Sequence, residues 1–103
     1  MKLNISMCEY FGLHLADGTK AAEFRTGRID PYVDICQEIV LDFSGVRNAN
    51  SSFMNALLTG LIEQHGQRLL NVLVFKGCNP AIRVLIEAAV ELGIRKTQES
   101  VGA

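Results

Sequence analysis

Glu38-Ile39-Val40-Leu41-Asp42-Phe43 is followed by a polar stretch, Ser44 to Asn50, and then by Ser51-Ser52-Phe53-Met54. The first segment is short, mostly apolar and partly β-branched, which predicts a strand buried on both faces of a parallel sheet. The polar stretch contains Gly45 and reads as a loop. Ser51 or Ser52 then opens a helix, because serine is a preferred residue at a helix start. The apolar residues of that helix are Phe53, Ala56, Leu57 and Leu61, with Met54, Leu58 and Ile62 one position round. So wide a stripe predicts a largely buried helix. Gly66 is placed to end it.

Downstream, Leu69 to Phe75 repeats the strand pattern, and Lys76-Gly77-Cys78 forms the next loop. Asn79-Pro80 is a cap followed by a first-turn proline. Ile82, Leu85, Ile86, Ala89 and Val90 then fall on one side of a last helix, with Gly93 expected to cap its end and Ile94 to fold back. Upstream, Leu3, Ile5 and Met7 alternate with Lys2, Asn4 and Ser6, the period of a half-buried edge strand. A turn at Asp17-Gly18 leads into a helix for which Thr19 is the expected cap. Gly27 interrupts that helix and Asp30-Pro31 restarts it. Strand and helix thus alternate three times. This order predicts an α/β fold: a small, mostly parallel sheet of about four strands with packed helices. A single domain is expected over residues 1–96, with 97–103 as a flexible tail.

The chain has 103 residues, enough for one domain and one core. Its 10 basic residues are balanced by 11 acidic ones and are scattered, which argues against nucleic acid as a partner. No segment reads as a membrane span, and Met1 to Ser6 lacks the apolar run of a signal peptide, so a cytoplasmic location is expected. Cys8, Cys36 and Cys78 form no Cys-x-x-Cys pair and read as small buried hydrophobes. His14 and His65 lack nearby ligand partners, so no metal is expected. No phosphate-cradling glycine loop and no Gly-x-Ser-x-Gly elbow occurs, and no cofactor is expected.

The residues of interest cluster where the first quoted strand meets its helix. In parallel α/β sheets the carboxyl edge of the strands is the usual functional edge. Asp42 ends the strand and supports the loop by bonding its N–H groups. Asn48 and Asn50 suit the loop because their side chains bond nearby backbone. Ser51 and Ser52 have two readings: a plain helix cap, or a site for a negative charge at the positive end of a helix. Arg47 is placed to attract a phosphate or an acidic partner.

The run Ile39-Val40-Leu41-Asp42-Phe43-Ser44-Gly45-Val46, followed by Asn50-Ser51-Ser52-Phe53, resembles the core signature of STAS domains. These comprise the anti-sigma-factor antagonists and the cytoplasmic domains of sulfate transporters. Gly18 to Arg25 and Asn79-Pro80-Ala81-Ile82-Arg83 are more similar to a divergent bacterial branch, the STAS-like proteins of uncharacterised function. Two positions differ from the antagonist pattern: Asn50 stands where an acidic residue is usual, and Phe53 where a glycine is usual. The resemblance implies a non-catalytic regulatory module that binds a protein, namely an ATPase-like serine kinase or anti-sigma factor. It also implies a switch by phosphorylation at Ser52, with Ser51 as the neighbouring candidate. Arg47, Asn48, Asn50, Phe53 and Met54 are the expected partner-binding residues. Two other readings are a structural subunit that self-associates as a homodimer, and a small enzyme using Asp42 with Ser51 or Ser52.

Overall fold

The computed structural model describes residues 1–102, with side chains described through Gln98. Three parallel strands form the central sheet: β1 (Lys2–Ser6), β3 (Glu38–Asp42) and β5 (Leu73–Lys76), in the order β1-β3-β5. Leu3, Ile39 and Leu73 stand in register, as do Ile5, Leu41 and Phe75. Two further strands, β2 (His14–Leu15) and β4 (Asn48–Ala49), pair separately in a short parallel ladder. The chain is therefore α/β with a small parallel sheet; the three long strands and the helices after them follow the order that hydropathy implies, whereas the helix at Met7–Phe11, which takes Met7 out of the expected first strand, and the two short strands were not anticipated.

Successive side chains of a strand alternate between the two sheet faces. Here Leu3, Ile5, Ile39, Leu41, Leu73 and Phe75 share the face that joins the hydrophobic core. The other face carries Lys2, Asn4 and Ser6, then Glu38, Val40 and Asp42, then Val74 and Lys76. Val40 is buried between its neighbours but stands apart from the core, and Val74 is 41% exposed. The expected burial on both faces is thus corrected. Lys2, Asn4 and Lys76 keep the second face in water, and the continuous apolar run Ile39-Val40-Leu41 concealed the alternation.

Five α-helical segments cover the core face. They are α1 (Met7–Phe11), α2 (Gly18–Phe24), α3 (Ser51–Met54), α4 (Gly60–His65) and α5 (Pro80–Gly102). A π-helical turn at Asn55–Thr59 joins α3 to α4, so the predicted helix from Ser51 to the Gly66 stop is one continuous rod with a wide turn inside it. Phe53, Met54, Leu57, Leu58, Leu61 and Ile62 are all fully buried along it. A second π-helical turn, Arg25–Ile29, extends α2 through Gly27 into a 3-10 turn at Asp30–Tyr32. Gly27 therefore does not interrupt the helix, and Asp30-Pro31 does not start a new α-helix. The Asp30 carboxylate is engaged elsewhere: Oδ1 lies 2.9 Å from His65 Nε2, tying this turn to the end of α4.

Three further boundaries differ from the sequence reading. Asp17, not Thr19, caps α2, accepting from Lys20 N at 3.2 Å. Gln67–Asn71 forms a 3-10 turn, so β5 begins only at Leu73. Gly93 does not end α5, which continues past it. It is instead a site of close approach: a Cβ there would stand 2.9 Å from Ile62 Cβ. Thr59 strengthens the same helix contact, its hydroxyl donating to Ala89 O at 2.8 Å. Of the expected tail 97–103, Thr97 and Gln98 continue α5, and the side chains beyond lie outside the described residues. No helix among the described residues is long and apolar enough to cross a membrane.

Candidate functional site at the carboxyl edge

The three strands point their carboxyl ends at one edge, and the loops leaving them meet there. Asp42, the last residue of β3, accepts the Ser44 amide on Oδ1 at 2.9 Å. The Ser44 hydroxyl and amide, with Lys76 close by, hold the Asp42 carboxyl below the usual carboxylate range. Asp42 is therefore a loop support, as its position implies. Val46 is buried and its amide returns to Phe43 O at 3.0 Å, closing a turn. Arg47 N bonds Leu13 O at 2.8 Å and Asn50 N bonds Leu15 O at 2.9 Å, stitching the loop to β2.

Asn50 caps α3. Its Oδ1 accepts from Phe53 N at 2.8 Å, and its Nδ2 donates to Ala16 O at 3.0 Å. Ser51 and Ser52 thus occupy the first two helical positions, and neither is the cap. Both are exposed, and the described residues offer neither hydroxyl a hydrogen-bond partner. Ser52 Oγ lies over Gly18, where a Cβ would stand 2.8 Å away, so the start of α2 packs closely against the first turn of α3.

Arg47, Asn48 and Asn50 are exposed on the same edge. Phe53 and Met54 are not: both are fully buried in the core, which corrects their expected place on a binding surface. A helix entering the core at its first turn must turn these side chains inward, and the bulk of Phe53 fills space under the aromatic rings of Phe11 and Phe24. Phe53 lies 4.9 Å from Phe11, and Phe11 lies 5.2 Å from Phe24.

Two contributors were missed in the sequence. Asn79 caps α5 through Oδ1, accepting Ile82 N at 2.8 Å, and its Nδ2 also donates to Arg47 O at 3.0 Å. The asparagine at the cap was legible, but its second bond joins residues far apart in sequence. His14 Nδ1 lies 2.6 Å from Asn48 Oδ1, a cross-ladder contact that no local spacing announces. Cys78 follows β5, and burial pushes its thiol up, away from a reactive thiolate. Cys8 and Cys36 are free thiols, partly and fully buried. No cluster of metal-ligating side chains is present among the described residues.

Residues 20–83 match the family model described as "STAS-like domain of unknown function (DUF4325)". That span covers most of the chain, from α2 to the first turn of α5, and includes the whole loop and serine pair. The chain belongs to this family. Neither the curated proteins nor the solved structures contain a match to it.

Proposed function

We propose that this chain is a non-catalytic regulatory module that binds a protein partner through its carboxyl edge and is switched by phosphorylation at Ser52, or at Ser51. The observation that carries the reading is the state of the serine pair. Asn50 has taken over the capping role, and both hydroxyls are exposed with nothing in the fold to hold. A phosphate there would add about −1.5 to −2 charges at pH 7. The helix start tolerates that charge, while an acidic or tightly packed partner surface is repelled by it. Arg47, Asn48 and Asn50 supply exposed polar contacts beside it. The partner class that fits is an ATPase-like serine kinase or anti-sigma factor, which would both bind and modify the module. Asp42 supports the binding reading over an enzymatic one, because its Oδ1 is engaged by the Ser44 amide and a carboxyl held below its ordinary range is a weak proton acceptor.

The test is capture of the tagged chain from its native host, with wild type, Ser52→Asp and Ser52→Ala compared by mass spectrometry. A specific partner should be retained by wild type and by Ser52→Ala, and lost from Ser52→Asp. Phosphoserine should be found at residue 52 or 51 of the wild type. Equal recovery of every partner by all three forms, with the same result for Ser51 substitutions and no phosphate at either residue, overturns the switch.

A further inference from the structure

The strand β5 is an edge strand: it pairs with β3 on one side, and no strand lies on its other side among the described residues. Its ladder to β3 uses the carbonyls of Val72 and Lys76, which accept from Ile39 N at 2.8 Å and Phe43 N at 2.7 Å. Alternate residues of a strand send their N–H and C=O groups to opposite sides. Those of Leu73 and Phe75 therefore point to the open edge. A row of backbone groups in this state is a template for another strand. The opposite edge of the sheet, β1, is less suited, because its middle residue is Asn4 where β5 has the exposed Val74.

The neighbouring surface indicates what carries the other strand. A groove of about 310 Å³ lies where β5 meets α5, lined by the partly buried Phe75 and by the exposed Arg83 and Glu87. Arg83 and Glu87 stand one turn apart on α5, and neither enters a salt bridge among the described residues. A two-fold axis sets a surface against its own image. A patch holding one positive and one negative charge then meets its complement, whereas a patch of one sign repels its copy. The strand obeys the same symmetry. When β5 runs antiparallel to its copy with Val74 opposite Val74, Leu73 stands opposite Phe75 in both directions. These are the two residues whose N–H and C=O groups are free to bond, and residues directly opposite share a face. Core-side residues therefore meet core-side residues, and Lys76 stands opposite Val72 rather than another Lys76.

We propose that this surface is the interface of a two-fold homodimer, in which β5 pairs antiparallel with β5 of a second copy, Val74 opposite Val74, and Arg83 of each copy pairs with Glu87 of the other. The two three-stranded sheets become one. The proposal does not rest on the serine reading. Its test is sedimentation velocity of the full chain over a concentration series, with amide hydrogen exchange followed by NMR at the two ends of the series. A monomer–dimer equilibrium is expected. The Leu73 and Phe75 amides should be protected in the dimer and exchange freely in the monomer, while the Val74 amide, on the β3 side, should change little. Arg83→Glu and Glu87→Arg should each raise the dimer Kd at least about tenfold, and the double variant should restore it. Val74→Lys, at an exposed position, sets like charges opposite each other and should leave only monomer. Circular dichroism melts establish that each variant folds; if Val74→Lys does not, the exchange of charges still decides. A monomer at every concentration, a dimer whose Leu73 and Phe75 amides exchange as in the monomer, single reversals that leave the Kd unchanged, or a double variant no tighter than the single ones would each overturn the proposal.

Discussion

At Asn50 one amide group serves two elements: its oxygen caps α3 and its nitrogen holds Ala16 of the neighbouring loop. Replacing it with alanine removes both bonds and leaves the Phe53 amide without a partner. Loss of a helix cap costs about 0.5–2 kcal/mol, so Asn50→Ala should be clearly destabilised in a denaturant titration. Ser52→Ala removes an exposed hydroxyl with no bond to lose, and should stay within about 0.5 kcal/mol of wild type. That contrast separates the residue that caps the helix from its exposed neighbour. Asp42 gives a second residue-scale outcome. Its carboxyl titrates lower in the folded state than its ordinary value of 3.8, chiefly through the Ser44 hydroxyl and amide. The stability this lends is fully present above the ordinary value and is lost as pH falls through the lowered one. Wild type should therefore melt above Asp42→Asn at pH 7, and the gap should narrow steadily below about pH 4. A gap that widens on acidification contradicts the assignment.

At the scale of elements, two glycines make opposite forecasts. Gly93 faces Ile62 across the α4–α5 contact, where an added Cβ would press on Ile62 Cβ, Cγ2 and Cδ1. Ile62 is fully buried and its Cβ is fixed to the α4 backbone, so the helices must part. Overpacking of this kind costs about 1–3 kcal/mol, set against a gain of about 0.8–1 kcal/mol from helix propensity. Gly93→Ala should lower the melting temperature. Gly27 has no atom within 4 Å of its would-be Cβ and no unusual backbone angle, so Gly27→Ala should raise it.

The same pair shows what the sequence could and could not convey. Periodicity was sufficient for the strand and helix order, and for the buried stripe from Phe53 to Ile62, because burial imposes a repeat on neighbouring residues. A glycine near the end of an apolar repeat has two meanings, a stop or a close approach, and only the distant Ile62 decides between them. The serine pair was ambiguous for a related reason. Asparagine and serine cap equally well, and the bond from Asn50 to Ala16 that favours Asn50 spans residues 34 apart in sequence. Phe53 and Met54 were expected at the surface beside the serine pair; Phe53 stands where the family pattern carries glycine, and both side chains turn inward to the core.

At the scale of the whole molecule, the sheet has helices on one face and water on the other. All-parallel sheets nearly always have both faces covered, so the polar rows Lys2-Asn4-Ser6 and Glu38-Asp42 are what allow this one to stand open. The Lys2–Glu38 pair, 3.3 Å apart and largely exposed, belongs to that face and contributes little by itself. Val40→Thr should therefore be tolerated far better than Leu41→Thr, although both residues are buried in the same strand. Leu41 is in the core and Val40 is not. A thermal melt of the two variants checks this, and equal losses would mean that the second face is not open.

The central strand β3 finds one neighbour made before it and one made after it. On the ribosome, the emerging chain reaches Gly66 with β1 and β3 available to pair but with the other edge of β3 bare. Leu61 and Ile62 at that moment lack α5, which arrives only with the final quarter of the chain. The 3-10 turn at Gln67–Asn71 is the natural seam between the two portions. Cut there, the molecule becomes a two-part switchless reporter: neither piece holds a complete core, and each supplies the other's missing wall. Two test proteins fused to residues 1–67 and 68–103 should restore the native circular dichroism only when they bring the pieces together.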